Sequence, residues 1–220
     1  MLSRLRTVWS GLMRPLADGL LKIGVTPDAV TIAGTVISVV LALWLFPTGH
    51  LFWGALLIGV FTLLDTVDGL MARRSGRSGP WGAFLDSTLD RVTDGAIFAG
   101  LILWFVGRDD GDARLAMCFG LASLVLGQVV SYSRARAEGV GMTARVGIAE
   151  RGDRIIVTLV AAGLVGLGIT HVLLTVALGV VAVGSLVTVL QRMFVVRRQA
   201  RRAQAAQPSA REASTPRTAA

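Results

Sequence analysis

The sequence DTVDGLMARRSGRSGPWGAFLDSTLD, residues 65–90, places four aspartates between two strongly apolar segments. LFWGALLIGVFTLL comes directly before it, and GAIFAGLILWFV follows a few residues after it. Apolar runs of this kind are typical of helices that lie in lipid, where an ionised carboxylate is costly. The four carboxylates therefore need protons, basic partners or bound cations, and their spacing bears on both the fold and the function.

The composition of the whole chain predicts an integral membrane protein. Of its 220 residues, 53% are hydrophobic and 16% are charged, and the mean hydropathy is +0.66. These values are too apolar for an ordinary soluble domain. The formal net charge of +8 is explained by cytoplasmic loops and contacts with anionic lipid, so no nucleic-acid partner is expected.

Stretches of about 20 mostly apolar residues are long enough to cross a bilayer as helices. The chain has six of them, at residues 27–46, 51–73, 82–106, 114–138, 152–170 and 171–196. They predict an all-α bundle of six transmembrane helices over residues 26–196. The glycine- and serine-rich turn RSGRSGP allows the second and third spans to run antiparallel, which would bring the four aspartates together.

The two ends of the chain differ from this bundle. In residues 1–25, the apolar residues fall largely on one helical face and basic residues lie between them. This pattern, together with Trp9, predicts an amphipathic helix lying in the headgroup plane. Residues 197–220 are basic and poor in apolar residues, so we expect a disordered tail that is attracted to anionic lipid.

The arginines and lysines are concentrated in alternate connections between the predicted spans. Basic residues lie before the first span, after the second, between the fourth and fifth, and after the sixth, whereas PTGH, GRDDGDA and the turn near Thr170 are neutral or acidic. The positive-inside rule then predicts a multi-pass cell-membrane protein with both termini in the cytoplasm. The aspartate cluster falls on the same cytoplasmic side.

On a helix, Asp65 and Asp68 project from one face, as do Asp86 and Asp90. An all-oxygen site with several carboxylates suits a hard divalent ion, Mg²⁺ or Mn²⁺, and could hold two. One alternative is that the acids only form hydrogen bonds and salt bridges between helices. Another is a cation or proton pathway in a transporter, but its acids would be distributed through the membrane depth. Clustering at one end, beside arginines, favours chemistry on a phosphate group at the interface.

The pattern Asp65-x2-Asp68-Gly69-x2-Ala72-Arg73-x8-Gly82-x3-Asp86-x3-Asp90 resembles the signature of CDP-alcohol phosphotransferases at every fixed position. The members of this family are six-span membrane enzymes, often homodimers, that transfer a phosphatidyl or similar group from a CDP-linked lipid to an alcohol and release CMP. Over most of residues 15–198 the chain is most similar to the actinobacterial members that use inositol phosphate.

The resemblance implies a specific reaction. The phosphatidyl group of CDP-diacylglycerol would pass to the hydroxyl of 1D-myo-inositol 3-phosphate, also numbered inositol 1-phosphate, giving phosphatidylinositol phosphate and CMP in phospholipid biosynthesis. The alternative within the family is a phosphatidylglycerophosphate synthase, whose acceptor also carries a phosphate. A cation transporter is the more distant alternative. The family also implies a homodimer.

The resemblance further assigns residues to roles. Asp65, Asp68, Asp86 and Asp90 would hold two Mg²⁺ ions, with Mn²⁺ as an alternative, and Asp90 would be the general base that accepts the proton of the acceptor hydroxyl. The residues implied in CDP-diacylglycerol binding are Asp28, Ala29, Val30, Thr31, Asp68, Gly69, Arg73 and Gly79, with Ser78 as an alternative to Gly79.

A dianionic acceptor requires fixed arginines, because the guanidinium group forms charge-assisted hydrogen bonds to phosphate. The segment SYSRARAEGVGMTARVGIAERGDR, residues 131–154, supplies them. We expect inositol phosphate to contact Ser131, Arg134, Arg136, Arg151 and Arg154. The positive-inside rule alone would also account for basic residues in this connection.

Overall fold

The computed structural model describes residues 13–64, 66–76, 79–108 and 111–213, and all regular structure in these ranges is α-helical. The first helix, α1, includes residues 13–22. The following helices are α2 (Pro27–Leu45), α3 (Leu51–Leu64), α4 (Thr66–Arg74), α5 (Pro80–Phe105), α6 (Ala113–Gly139), α7 (Arg151–Gly166) and α8 (Val172–Ala213).

Four stretches in the described part of the chain are helices long and apolar enough to cross a membrane. They are Pro27–Leu45, Leu51–Arg74, Ala113–Gly139 and Val172–Ala205. The described part of the chain is therefore all-helical, as predicted, and contains four candidate membrane spans. The count of six stays a prediction, because α5 carries several charged residues and the 16 residues of α7 give about 24 Å of helix, less than the hydrocarbon core.

The last two predicted spans are separated by a short turn, close to the expected boundary near Thr170. Helix α7 ends at Gly166, and α8 begins at Val172. Gly168 has a φ of +100° in this turn, a conformation that residues with a Cβ rarely adopt. Glycine at this position therefore allows the chain to reverse within a few residues.

The prediction that the tail is disordered from residue 197 was wrong for part of its length. Helix α8 continues to Ala213, well beyond the predicted end of the last span. The sequence RRQARRAQAAQ after Val196 consists of arginine, glutamine and alanine, which are all good helix formers. A helix that is already nucleated in the bundle can extend through them without burying apolar surface. Residues 214–220 lie outside the described residues.

The described part of the predicted interfacial helix packs against the bundle. Ala17 of α1 is fully buried and clusters with Val67 and Met71 of α4. On the same helix, Asp18 pairs with Arg74 through a 2.7 Å contact between Oδ1 and Nε. Residues 1–12 lie outside the described residues, so the amphipathic character of the full helix stays a prediction.

Helix α2 packs against α5, α3 against α7, and α6 against α8. Glycines allow two of these contacts to be close. A Cβ on Gly100 of α5 would collide with the carbonyl oxygen of Ala42 on α2, and one on Gly166 of α7 would collide with the backbone nitrogen of Phe52 on α3. Phe46 fills the space beside Gly100 and is completely buried. The α2–α5 contact matters for the site, because both helices begin at its edge.

Gly100→Ala is expected to lower the thermal unfolding midpoint of the detergent-solubilised protein. The added methyl group would force α2 and α5 apart, and overpacking of this kind typically costs about 1–3 kcal/mol. Gly34→Ala on α2 is the matched control, because a Cβ there would meet nothing within 4 Å. Its midpoint should be unchanged or slightly higher. Equal midpoints for the two variants would contradict the close packing.

At the end of the bundle opposite Asp68, Asp86 and Asp90, the carboxylate of one further aspartate links α6 to α8. Asp112 precedes α6, and its two oxygens contact His171 Nε2 and the hydroxyl of Thr175, each at 2.7 Å. The hydrogen bond donated by Thr175, together with the interaction with His171, lowers the pKa of the Asp112 carboxyl from its usual value. The carboxylate is therefore ionised at neutral pH.

Candidate active site

The start of α2 and the start of α4 are joined by a buried hydrogen bond. Thr31 of α2 donates its hydroxyl hydrogen to Oδ2 of Asp68, and the backbone nitrogen of Gly69 donates to Oδ1. Asp68 is only 7% exposed. Thr31 is positioned by the helix start, where the Thr26 side chain accepts a hydrogen bond of 3.2 Å from the backbone nitrogen of Ala29. Two of the residues expected to bind the donor are thus in direct contact.

The same end of α2 reaches the start of α5. The indole Nε1 of Trp81 donates a 2.9 Å hydrogen bond to Asp28 Oδ2. Trp81 itself is 61% exposed, so the pair lies at the edge of the bundle rather than in its core. Asp28 is therefore held at the mouth between α2 and α5, next to the Thr31–Asp68 pair on the following turn of α2.

Two glycines of the signature face open space. A Cβ on Gly69 would be near only the end of the Arg73 side chain, at 3.5 Å, and one on Gly82 would meet nothing within 4 Å. Neither has a positive φ. Glycine costs about 1 kcal/mol relative to alanine inside a helix, and no contact among the described residues requires it at these positions. Gly79, which precedes α5, is also exposed with open space around it.

The aspartates of the signature come from two helices. Asp68 lies on α4, Asp86 and Asp90 lie on α5, and Asp86 is close enough to interact electrostatically with both of the others. Asp65 lies outside the described residues. Within the described ranges, no three acidic, histidine or cysteine side chains form a group that could ligate an ion by themselves. The donor chemistry of these carboxylates fits Mg²⁺ or Mn²⁺, and a full ligand set would require Asp65.

A network of ion pairs extends from Asp90 to α7. Asp90 Oδ1 is 2.9 Å from Nη2 of Arg151, and Asp90 Oδ2 is 3.5 Å from Nη2 of Arg91. The Nε of Arg151 also donates a 3.0 Å hydrogen bond to Oδ1 of Asp94, one turn further along α5. The expected base and one of the expected acceptor arginines are therefore directly bonded.

A cavity of about 860 Å³ lies beside this network, between α5, α6, α7 and α8. Its wall has a strong excess of positive charge, with five arginines and two glutamates: Arg91, Arg134, Arg151, Arg154, Arg192, Glu138 and Glu150. The remaining lining includes hydroxyl and amide groups from Ser87, Thr88, Gln128, Ser131 and Tyr132. Such a cavity can accommodate an anion that also carries hydroxyl groups.

Arg154 is the most deeply buried charge in this wall, at 1% exposure. Its Nη1 donates a 3.1 Å hydrogen bond to the carbonyl oxygen of Ala149. Its Nη2 is 3.7 Å from Asp94 Oδ2, and neither Nε nor Nη2 has a hydrogen-bond partner among the described residues. Gly127 of α6 leaves room for the guanidinium, since a Cβ there would be 3.4 Å from Nε. Buried donors of this kind require polar partners, which an anionic group in the cavity could supply.

The structure brings four of the five expected acceptor residues to the cavity. Ser131, Arg151 and Arg154 line it, and so does Arg134, which also pairs with Glu138 at 3.3 Å. Arg136 is the exception, because it is exposed and does not line the cavity. Two residues along a helix correspond to about 200° of rotation, so Arg136 lies on the face opposite Arg134.

Two buried charges near the cavity were not identified from the sequence, Asp94 and Arg192. Arg192 of α8 is 3% exposed and donates to the carbonyl oxygens of Val146 and Val130. For each of the two residues, a sequence pattern could have indicated a functional role. Asp94 continues the four-residue spacing of Asp86 and Asp90, and Arg192 interrupts a long uncharged run, where an ionisable residue indicates a functional site.

The chain matches known proteins along most of its length. Residues 24–149 match the family model of CDP-alcohol phosphatidyltransferase. A phosphatidylinositol phosphate synthase of Streptomyces avermitilis is 49% identical over 91% of this chain and 84% of its own length.

Two solved structures of Mycobacterium tuberculosis phosphatidylinositol phosphate synthase are also similar. The structure with CDP-DAG bound superposes with a TM-score of 0.80, at 42% identity over 84% of this chain and 92% of that one. The structure in complex with manganese and citrate has a TM-score of 0.79, at 43% identity over 84% and 88% of the two chains.

Proposed function

Because this chain belongs to the CDP-alcohol phosphatidyltransferase family, we propose that it transfers the phosphatidyl group of CDP-diacylglycerol to an inositol phosphate. The products are phosphatidylinositol phosphate and CMP. The acceptor assignment rests on the arginine-lined cavity beside Asp90. Arg151 lines this cavity and forms an ion pair with Asp90. A neutral alcohol such as free inositol offers no anionic group to the Arg154 nitrogens that lack a hydrogen-bond partner among the described residues.

The donor is proposed to bind at the adjoining ends of α2, α4 and α5. Its residues are those of the signature and the start of α2, namely Asp28, Ala29, Val30, Thr31, Asp68, Gly69, Arg73 and Gly79. Support comes from the hydrogen bond between Thr31 and Asp68 and from the open space at Gly69. A nucleotide can approach a helix backbone closely where no Cβ intervenes.

The proposed reaction is an attack by the acceptor hydroxyl on the phosphorus bonded to diacylglycerol. Asp90 takes the proton from that hydroxyl, the new O–P bond forms, and the bond to CMP breaks. Arg151 and Arg154 hold the acceptor's phosphate, which fixes the hydroxyl relative to Asp90.

Asp65, Asp68, Asp86 and Asp90 are proposed to hold two Mg²⁺ ions, with Mn²⁺ able to substitute. When bound, the ions would neutralise charge on the phosphoryl oxygens and on the departing CMP. The manganese complex of a structure 43% identical to this chain supports a divalent cation.

The enzymatic activity is tested by measuring CMP release from CDP-diacylglycerol with purified protein in detergent micelles. We expect release that depends on both inositol phosphate and a divalent cation. A transporter would release no CMP, and that result would contradict the proposal. A phosphatidylglycerophosphate synthase is the second candidate, because the arginines of the cavity also suit glycerol 3-phosphate.

The proposed topology has six spans, with both termini and the active site on the cytoplasmic side of the cell membrane. Cysteines introduced at Ser75 and Gly111 in a Cys118→Ala background test it. Both positions are exposed, and they lie at opposite ends of the bundle. A membrane-impermeant maleimide should label Ser75→Cys only from the cytoplasmic side and Gly111→Cys only from the other side. Labelling of both from one side would contradict this topology.

Two further features are proposed from the sequence and the family. The first is a homodimer, which light scattering of the solubilised protein would contradict by giving a monomer mass. The second is that residues 1–25 lie in the headgroup plane. In a variant whose other four tryptophans are replaced by phenylalanine, Trp9 fluorescence in vesicles should be quenched by labels at the headgroup but not by labels at the acyl-chain ends.

A further inference from the structure

Asp94 of α5 lies one helical turn beyond Asp90 and is not part of the family signature. Its side chain is 7% exposed and is located between α5 and α7. A buried carboxylate is retained only where it has partners, because an unpaired charge in the bundle interior is costly. Its partners therefore indicate its role.

Both carboxylate oxygens of Asp94 are directed at arginines of the acceptor cavity. Oδ1 accepts a 3.0 Å hydrogen bond from Nε of Arg151, and Oδ2 is 3.7 Å from Nη2 of Arg154. The same Arg151 reaches Asp90 with Nη2, at 2.9 Å. Asp94 and Asp90 thus hold one guanidinium at two of its nitrogens from consecutive turns of one helix.

This arrangement has a consequence for the acceptor. An arginine side chain has many rotamers, and a planar guanidinium is oriented only when at least two of its nitrogens are fixed. With Nε bound to Asp94, the guanidinium of Arg151 is directed toward Asp90 and the cavity. Without Asp94, Nε of Arg151 would lose the carboxylate that it binds at 3.0 Å, and Arg154 would lose the carboxylate 3.7 Å from its Nη2.

We infer that Asp94 is a positioning residue for the acceptor: it orients Arg151, and secondarily Arg154, so that the phosphate of the acceptor is bound with its hydroxyl at Asp90. This inference rests on the proposed function. Asp94 itself contacts neither substrate. It determines how tightly a phosphorylated acceptor binds and leaves the donor site on α2 and α4 unaffected.

The test is steady-state kinetics of Asp94→Ala, Asp94→Asn and Asp94→Glu, with inositol phosphate and CDP-diacylglycerol varied separately. Asp94→Ala should raise the acceptor KM about ten- to hundredfold, the range expected for a lost charge-assisted hydrogen bond. The donor KM should change less than about twofold if only uniform acceptor binding is lost. Asp94→Asn should give an intermediate acceptor KM, since its amide oxygen can still accept from Nε. Asp94→Glu should partly restore binding, since it keeps the charge.

A double variant separates positioning from general loss of structure. In an Arg151→Ala background, adding Asp94→Ala should change the acceptor KM by no more than about threefold, because contacting residues are not additive. Asp112→Asn is the control, since it removes a carboxylate that joins two helices at the other end of the bundle. It should change neither KM.

The inference is overturned if Asp94→Asn and Asp94→Glu both keep the wild-type acceptor KM, or if the effects of Asp94→Ala and Arg151→Ala multiply in full. An equal rise in both substrates' KM would overturn it as well. The proposed function fails separately, if the wild-type protein prefers another acceptor. In that case the same variants are measured with glycerol 3-phosphate, for which the same rise in acceptor KM is expected.

Discussion

Asp90→Asn is expected to lower kcat by about 10²–10⁴-fold, the usual loss when a general base is removed. The amide has nearly the shape of the carboxylate but cannot accept the proton of the acceptor hydroxyl. It also cannot form an ion pair with Arg151, which lies 2.9 Å from Asp90 Oδ1. The measurement is CMP release at saturating concentrations of both substrates, with the thermal unfolding midpoint recorded for each protein.

Asp112→Asn provides the matched control for this change. It replaces a carboxylate that is also bonded to a neighbouring helix, but at the other end of the bundle. Its kcat should stay within about twofold of the wild type, in line with its distance from the chemistry. A kcat for Asp90→Asn within tenfold of the wild type, in a protein that unfolds normally, would rule out Asp90 as the base.

Removal of divalent cations is expected to lower the rate of CMP release at least as much as Asp90→Asn does. EDTA should reduce CMP release to the background rate, and Mg²⁺ or Mn²⁺ in excess should restore it. Asp68→Asn and Asp86→Asn should each lower turnover by orders of magnitude and raise the Mg²⁺ concentration needed for half-maximal activity. A divalent ion held by these carboxylates would stabilise negative charge on the phosphate group, which the carboxylates themselves cannot do.

Asp18→Asn is the control for the two metal-ligand variants. Asp18 forms a half-exposed pair with Arg74 of α4, close in the fold to Asp68, and exposed pairs of this kind contribute little to stability. Its Mg²⁺ requirement should equal that of the wild type. Full activity in EDTA, or an unchanged Mg²⁺ requirement in Asp68→Asn, would contradict the proposed metal site.

The helical, apolar class of the chain and the shared helix face of its aspartates could be predicted because they depend on local sequence. Apolar runs of sufficient length predict helices whatever their neighbours are. The spacing of Asp86 and Asp90 on one helix identifies a shared face without knowledge of the rest of the fold. The match to the family signature rests on these same positions, so it too was available from the sequence.

The pairing across helices could not be predicted in this way. The bond between Asp90 and Arg151 joins residues that are 61 positions apart, and it depends on how α5 packs against α7. Arg134 and Arg136 are the same residue type in the same helix, so the sequence did not distinguish them. The orientation of the helix places only Arg134 in the wall of the cavity. The position of Arg192 also depends on helix packing, because its burial and its bonds to the carbonyl groups of Val146 and Val130 fix it inside the cavity wall.

The extension of α8 could not be predicted for a different reason. The residues after Val196 have a low apolar content, which favoured disorder, but also a high helix propensity. Composition alone does not decide between these tendencies. Attachment to a preceding helix does, because it removes the cost of nucleation. Gln199 adds a tertiary contact, since its side chain both donates to and accepts from the backbone of Thr143.

The most direct test of the proposed function is a panel of acceptors given to the purified protein with CDP-diacylglycerol and Mg²⁺. The acceptors are inositol phosphate, glycerol 3-phosphate, serine and unphosphorylated inositol, and kcat/KM is measured for each from CMP release, with the lipid product identified by mass. We expect the highest kcat/KM for inositol phosphate and a phosphatidylinositol phosphate product. A higher kcat/KM for glycerol 3-phosphate, or for inositol without its phosphate, would contradict it.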